Sequence, residues 1–152
     1  MNGPACKLEG DLLVIWPDNE KDEGQRPLRP EEARIETSRT HLQFIFPNIW
    51  ENWISDNLRV FAAFAPVDEG NTMMYIRQYQ RMVGLPLLRQ SFDAIGKVFN
   101  GIVANQDRPV VETQLPKRSS LEMGEFLIQA DRPILLYRQR RRELGATTSD
   151  GS

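Results

Sequence analysis

The spacing of the large apolar residues changes near Pro86, and this change restricts the folds that the chain can adopt. Before Pro86, short apolar runs alternate with polar residues, which is typical of β-strands that bury one face. After it, large apolar residues recur in steps of 4, 3, 4 and 3, which places them on one face of an amphipathic helix. They are Leu88, Phe92, Ile95, Phe99 and Ile102. The sequence therefore predicts an α+β fold, with antiparallel strands first and helices after them.

The strands are predicted from apolar runs bounded by turn-forming residues. They cover residues 10–16, 40–46, 58–66 and 72–80. The last two are expected to form an antiparallel hairpin, because the five residues between them, 67–71, have the composition of a turn. Trp50 and Trp53 lie between predicted strands and are interpreted as part of the core.

Two helices are predicted, over residues 86–104 and 131–142, each with a proline in its first turn. If the first helix continues at about 100° per residue, four positions fall on nearly one line at the border of its apolar face. These are Gly96, Asn100, Val103 and Asp107. Pro109 cannot donate a hydrogen bond to the carbonyl of Asn105, so a kink is expected just past Asp107.

Composition excludes several classes of protein. The 152 residues suit one domain, and a formal charge of −2 gives no general attraction to nucleic acid. Cys6 is the only cysteine, so the chain carries no disulfide, no thiolate zinc cluster and no iron–sulfur cluster. No apolar run reaches the roughly 20 residues of a membrane span. We therefore expect a cytoplasmic protein that binds neither nucleic acid nor membrane.

The chain is expected to contain one structured region and two unstructured segments. Residues 17–32 are rich in proline and charge and are predicted to be a mobile loop. Residues 146–152 (ATTSDGS) are predicted to be a disordered tail. The domain itself is assigned to residues 1–145.

Three stretches carry a resemblance to a known family. They are residues 65–72 (APVDEGNT), 105–114 (NQDRPVVETQ) and 130–138 (ADRPILLYR). Together they resemble the C-terminal part of the catalytic domain of Rieske non-haem iron oxygenases. The similarity is to vanillate-demethylase-like proteins and to the large subunits of aromatic-ring-hydroxylating dioxygenases. It implies a START-like helix-grip fold, in which a curved antiparallel sheet grips a long C-terminal helix, here incomplete.

The resemblance implies that Asp107 is the carboxylate ligand of a mononuclear iron whose other two ligands are histidines. The chain has one histidine, His41, which is expected to be a strand-surface or pocket-lining residue, and it lacks the Cys/His set of a [2Fe–2S] Rieske cluster. By the same resemblance, the substrate pocket would be lined by Gly96, Asn100, Val103 and Phe99. Hydrogen bonds around the ligand would come from Gln106, Glu112 and Gln114.

The residues alone leave a second interpretation of Asp107 open. Aspartate, arginine and proline in succession are also typical of a helix start, with the aspartate as cap and the proline in the first turn. The same order recurs at residues 131–133. In that case Asp107 would cap a helix and bind no metal.

The leading hypothesis is a fragment of a Rieske-type oxygenase whose Met1 lies inside a longer gene. In the intact protein, a reductase would pass electrons through the Rieske cluster of the missing N-terminal portion to non-haem Fe(II). Iron and dioxygen would then hydroxylate or demethylate a small aromatic or similar apolar substrate, and the protein could be a homotrimer. The chain alone is predicted to be inactive.

Two other hypotheses remain. One is a stand-alone helix-grip module that binds a small apolar ligand without redox activity. The other is a product of a split gene that does not fold alone, because its sheet edge and apolar surface lack their partners.

Overall fold

A computed structural model describes residues 4–17, 40–117 and 123–149. Its single sheet has six strands in sequential order, and every neighbouring pair is antiparallel. The strands are β1 (Ala5–Glu9), β2 (Leu12–Trp16), β3 (His41–Ile45), β4 (Ile49–Ser55), β5 (Leu58–Pro66) and β6 (Thr72–Gln80). Two helices follow, α1 (Pro86–Thr113) and α2 (Arg132–Ser149). The α+β fold predicted from the sequence is confirmed, with a long helix beside an antiparallel sheet in a helix-grip-like arrangement.

The predicted hairpin of β5 and β6 is confirmed, with pairing from Leu58↔Gln80 to Pro66↔Thr72. Its turn is held by Asp68, whose Oδ1 accepts hydrogen bonds from the Gly70 amide at 2.8 Å and from Asn71 Nδ2 at 2.9 Å. These bonds, the one from Asn71 above all, lower the pKa of Asp68. The turn composition therefore fixes the register of the two longest strands.

Strands β1 and β4 were not predicted. β4 contains Trp50 and Trp53, and it fills the gap between β3 and β5 that the sequence interpretation treated as a core patch. β1 pairs with β2 across a tight turn in which Gly10 adopts a φ of 57°, a conformation that glycine adopts without strain.

Helix α1 continues to Thr113 and does not end at Ala104 as predicted. Pro109 lies inside α1 and removes one backbone N–H donor, but side-chain hydrogen bonds stabilise the turn around it. Thr113 Oγ1 donates to the Pro109 carbonyl at 2.6 Å, and Arg108 pairs with Glu112 at 2.6 Å. Asp107 therefore lies inside a helix and does not cap one, so the capping interpretation is wrong at this position.

Helix α2 begins after a single 3-10 turn, Gln129–Asp131, as the order of residues 131–133 predicted. The Asp131 carboxylate accepts a hydrogen bond from the Ile128 amide at 3.0 Å. The helix runs on to Ser149, so residues 146–149 are helical although their composition placed them in a tail. Of the predicted loop at 17–32, only Pro17 belongs to the described residues.

Part of the core lies between α2 and the first strands of the sheet. Among the described residues, the buried apolar side chains are Leu13, Phe46 and Ala62. Phe46 belongs to a cluster of three rings, in which it stacks on Tyr137 of α2 at 5.4 Å and meets Phe44 edge-on at 5.1 Å. Arg140 ties the same helix to Asp11 at 2.7 Å, so α2 is anchored by rings and by an ion pair.

The apolar face of α1 is exposed. Leu88, Ile95, Phe99 and Ile102 are 57%, 69%, 63% and 50% exposed, respectively. The amphipathic pattern correctly predicted a helix, but these four side chains of its apolar face remain largely exposed among the described residues. Of the elements that the structure describes, α1 contacts β6, where Asp93 and Asn100 bind Gln80 and Gln78. Neither helix, over the described residues, is long and apolar enough to span a membrane.

Candidate functional site

A cavity of about 750 Å³ lies where β6, the β4–β5 turn and α1 meet. The sheet contributes Trp53, Met74 and the continuous stretches 55–59 and 76–81. The helix contributes Asp93, Lys97, Asn100 and Gly101, which follow one another on one side of α1. The volume is within the range of small-molecule sites, roughly 300–1,000 Å³. This cavity is the candidate functional site.

Two glutamines on β6 connect the strand to α1. Asn100 Nδ2 donates to Gln78 Oε1 at 3.3 Å, and Gln80 Nε2 donates to Asp93 Oδ1 at 3.4 Å. Gln80 is buried, and its Oε1 also accepts the Val83 amide at 3.0 Å, which fixes the connection between strand and helix. Side chains two residues apart in a strand point to the same face of the sheet. Gln78 and Gln80 therefore both reach α1, where their partners Asn100 and Asp93 are seven residues apart.

Gly96 is buried beneath the Gln78 carboxamide. A Cβ atom at Gly96 would lie 2.4 Å from Gln78 Oε1, well inside van der Waals contact. The sequence analysis placed Gly96 in the lining of the substrate pocket. In the structure, the space beside Gly96 is filled by Gln78, a side chain of β6 that also binds Asn100.

Alanine substitutions at Gly96 and Gly101 should separate these effects. A Cβ at Gly101 meets nothing within 4 Å, so Gly101→Ala is expected to raise the free energy of unfolding by about 0.5–1 kcal/mol through helix propensity. Gly96→Ala gains the same propensity but displaces Gln78 and costs its hydrogen bond to Asn100. We expect it to be less stable than Gly101→Ala by about 1–2 kcal/mol in urea unfolding. Adding Gln78→Ala should remove that difference; equal stabilities of the two single variants would contradict the close approach.

A row of aromatic and cationic side chains crosses four strands beside the cavity. His41, Trp53, Arg59 and Tyr79 are directly paired neighbours in the register of β3 to β6. His41 stacks on Trp53 at 5.5 Å, and the Arg59 guanidinium lies 4.7 Å from the Trp53 ring and 5.2 Å from the Tyr79 ring. The Arg77 guanidinium also lies over the Tyr79 ring, 5.3 Å from its centre. Such cation–π contacts fix the guanidinium groups in place.

Trp53 and Arg59 are functional candidates that sequence analysis missed. Trp53 was assigned to the core, yet it lines the cavity and its Nε1 donates to Glu51 Oε2 at 2.9 Å. Arg59 lies 3.8 Å from the same Glu51. The strand register places these residues opposite each other, and the register could not be derived without β4.

The sequence-predicted pocket residues are only partly at the cavity. Asn100 lines it and Gly96 lies beside it, under Gln78. Val103 and Phe99 are 38% and 63% exposed and belong to the uncovered face of α1. Gln106 and Gln114 are exposed, and Glu112 is bound to Arg108. Asp107 is also exposed, two turns beyond Asn100 along the helix.

The described residues do not form an iron site. Within residues 4–17, 40–117 and 123–149, no three His, Cys, Asp or Glu side chains are close enough together to hold a metal ion. The single histidine of the sequence, His41, stacks on Trp53, and its Nε2 is 2.9 Å from Gln43 Nε2. The chain therefore offers at most one carboxylate to an iron of the two-histidine, one-carboxylate kind.

Two arginines in the arginine-rich stretch of α2, Arg138 and Arg140, bind carboxylates of the same chain. Arg138 is 8% exposed, and its Nη1 donates to Glu125 Oε2 at 2.6 Å. This hydrogen bond holds the pKa of Glu125 below its usual value. Arg140 binds both Asp11 and Glu143. Through Glu125 and Asp11, these two arginines help to hold α2 in place.

The fold is an α+β, helix-grip-like domain. Comparison with known families identifies the family to which this domain belongs. The family model of the vanillate O-demethylase oxygenase C-terminal domain matches residues 11–147, which is most of the chain. The chain belongs to this family, and the resemblance found in the sequence is confirmed. Its family is one of oxygenase-type oxidoreductases, the Rieske oxygenases, which generally use non-haem iron and a Rieske cluster. Searches of the curated proteins and of the solved structures find no match.

Proposed function

We propose that the chain is the part of a Rieske oxygenase catalytic domain that supplies the carboxylate ligand, Asp107, to the mononuclear iron. The observation that carries this proposal is the family match over residues 11–147, which includes the 105–114 stretch. The two histidine ligands and the [2Fe–2S] cluster would come from a further polypeptide portion, because the chain has one histidine and one cysteine.

In the assembled protein, non-haem Fe(II) would use dioxygen and electrons from a reductase to hydroxylate or demethylate a small aromatic or similar apolar substrate. We place this assembly in the cytoplasm and propose a homotrimer. The chain alone is inactive in this proposal, since one carboxylate cannot hold the metal.

The exposed face of α1 supports the proposal. Phe99, Ile102 and Val103 are apolar, and each is at least 38% exposed. An apolar surface of this extent in an otherwise ordinary domain indicates a contact with something else. If the histidine-bearing portion packs there, it would bring its ligands to the same side of α1 as Asp107 and enclose the substrate between the two.

Replacing Asp107 with asparagine in the intact oxygenase tests the assignment. Because the ligand carboxylate is lost, we expect iron content and substrate-dependent oxygen consumption to fall by about 10–100-fold or more. In the isolated chain the same change should alter the free energy of unfolding by less than about 0.5 kcal/mol, because Asp107 is exposed within a helix.

Asp68→Asn is the matched control, since it makes the same chemical change in the β5–β6 turn, where asparagine supports a similar turn. It should leave iron content unaltered. Full iron content in the Asp107→Asn protein would exclude the ligand assignment. Metal-independent binding of a small apolar ligand by the isolated chain would instead support the stand-alone binding module.

A further inference from the structure

Both helices meet the same face of the sheet, and within the described residues the opposite face carries neither of them. Residues paired directly across antiparallel strands share a face, and so do residues two apart in one strand. By that rule Phe44 and Gln78 share a face. Phe44 meets a ring of α2, and Gln78 binds a side chain of α1. Tyr79 follows Gln78 in β6 and therefore stands on the other face, which we call the outer face.

The outer face of β5 and β6 is rich in residue types that are common at the centres of protein interfaces. It presents Met73, Tyr75, Arg77 and Tyr79 from β6, with Arg59 paired to Tyr79 from β5. Met73, Tyr75 and Tyr79 are 51%, 61% and 40% exposed, and the first two stand opposite alanines of β5. Tyrosine, arginine and methionine are enriched in interfaces, whereas lysine, glutamate and aspartate are depleted there. The composition of this face therefore indicates contact with another protein.

The charge that this face exposes is positive. Across β3 to β6 it carries one acidic and two basic residues, Glu51, Arg59 and Arg77. The Glu51 side chain is only 13% exposed, and its Oε2 accepts a hydrogen bond from Trp53 Nε1 at 2.9 Å. The Arg59 side chain is 37% exposed, and Arg77 is exposed on the last strand of the sheet. A partner would therefore meet two cations and a carboxylate that is mostly covered.

The two arginines are held beside one aromatic ring. The guanidinium carbons of Arg59 and Arg77 lie 5.2 Å and 5.3 Å from the centre of the Tyr79 ring, so both cations belong to one small patch. A guanidinium stacked on a ring keeps five N–H donors in its own plane, where carboxylates bind them in pairs. Glu51 is 3.8 Å from Arg59 Nη1, which is too far for a hydrogen bond. Because the rings already position these side chains, binding costs them less rotamer freedom.

We propose that the outer face of β5 and β6 is a docking surface for a protein with an acidic surface. Carboxylates of the partner would accept hydrogen bonds from Arg59 and Arg77, and its apolar side chains would pack on Tyr75 and Met73. A nucleic acid fits less well, because two cations on a chain with a formal charge of −2 neutralise few phosphates. This inference goes beyond the oxygenase assignment and depends neither on iron nor on Asp107.

Nuclear magnetic resonance of the isotope-labelled 152-residue chain tests the proposal. The probe is a twelve-residue peptide that repeats two glutamates and one leucine, with blocked ends. A chain with a formal charge of −2 has no general attraction for an acidic peptide, so binding reports a local site. The Nε–H signals of Arg59 and Arg77 should shift at saturation, and so should the indole N–H of Trp53, whose ring lies 4.7 Å from the Arg59 guanidinium. The indole N–H of Trp50, which shares the face of Phe44, should not shift.

Three further probes separate the kinds of partner. A peptide with lysine in place of glutamate and one with serine in place of leucine should each bind about tenfold or more weakly. A twelve-nucleotide oligothymidylate should shift none of these signals. Equal binding of the lysine peptide would overturn the acidic partner, and equal binding of the serine peptide would reduce the face to a simple anion site. Shifts of the same signals with oligothymidylate would make it a nucleic-acid site instead.

Two variants with the same change of charge locate the binding. Arg77→Glu should weaken binding of the glutamate peptide by about tenfold or more, and Arg142→Glu on α2 should alter it by less than about twofold. Arg77→Gln, which removes the charge without reversing it, replaces the first variant if that does not fold. The proposal is overturned if both variants bind equally, or if the glutamate peptide shifts no signal on the outer face. It is also overturned if the Trp53 signal shifts with protein concentration alone, because the occupant would then be a second copy of the chain.

Discussion

Replacing Leu13 with alanine is expected to lower the free energy of unfolding by about 2–5 kcal/mol. Leu13 is 2% exposed and is the one large side chain, among the described residues, that the fold buries completely. It lies in β2, which is paired on both sides, so neighbouring backbone cannot move in to fill the space. Because small domains are stable by only about 5–15 kcal/mol in total, this single change removes a large share. Urea unfolding monitored by tryptophan fluorescence measures it.

Leu88→Ala is the matched control for this prediction. It deletes the same atoms from a side chain that is 57% exposed on α1, and leucine and alanine have similar helix propensities. Its effect should stay within about 0.5 kcal/mol. A loss comparable to that of Leu13→Ala would mean that the apolar face of α1 is covered in solution, against the arrangement described here.

The strands that could be predicted from the sequence are those whose residues alternate and whose turns have a recognisable chemistry. The β5–β6 hairpin is one, because Asp68, Gly70 and Asn71 specify its turn. β4 was missed because Trp50, Trp53 and Ile54 interrupt simple alternation and suggested a core patch. Its pairing with β3 and β5 depends on contacts between strands, which a single strand's composition does not encode.

The two ends of α1 show how well rules for single residues predict helix boundaries. Pro86 marked the start correctly, because proline suits the first turn of a helix. The predicted end at Ala104 is wrong, because the helix runs on through Pro109 to Thr113. A proline disrupts bonds on its N-terminal side, and bonds to Pro109 and Glu112 support the turn that follows. The helix-breaking tendency of Pro109 was outweighed by the hydrogen bonds that neighbouring residues make.

The candidate site was predictable only along the helix. Helical periodicity determines which positions share a side of α1, so the sequence could place Gly96 and Asn100 on one line. What covers that line was not predictable, because Gln78 reaches Gly96 from a strand that is distant in sequence. The row of aromatic and cationic side chains was not predictable for the same reason, since Trp53 and Arg59 become neighbours only through the register of β4 and β5.

Replacing Phe46 with alanine is the second change expected to have a large effect, about 3–5 kcal/mol. Phe46 is 7% exposed and contacts two other rings, Phe44 and Tyr137. Tyr137 and Phe44 also meet edge-on at 5.0 Å, so the three rings form one closed contact that joins β3 and the turn after it to α2. Removing the central ring leaves a cavity and weakens both remaining contacts, and aromatic pairs contribute about 0.5–1.5 kcal/mol each beyond buried area.

The same variant should detach α2 from the sheet before the sheet itself unfolds. The ion pair of Arg140 with Asp11 is exposed, and such pairs alone contribute little, about 0–1 kcal/mol. Hydrogen exchange should therefore accelerate in α2 more than in β4 and β5, whose pairing does not involve the rings. Phe99→Ala, which removes an equal ring at 63% exposure, should change neither stability nor exchange in α2. A uniform acceleration over helix and sheet in Phe46→Ala would show that α2 and the sheet unfold as one cooperative unit, and that the ring cluster is part of a single core and not a separate anchor.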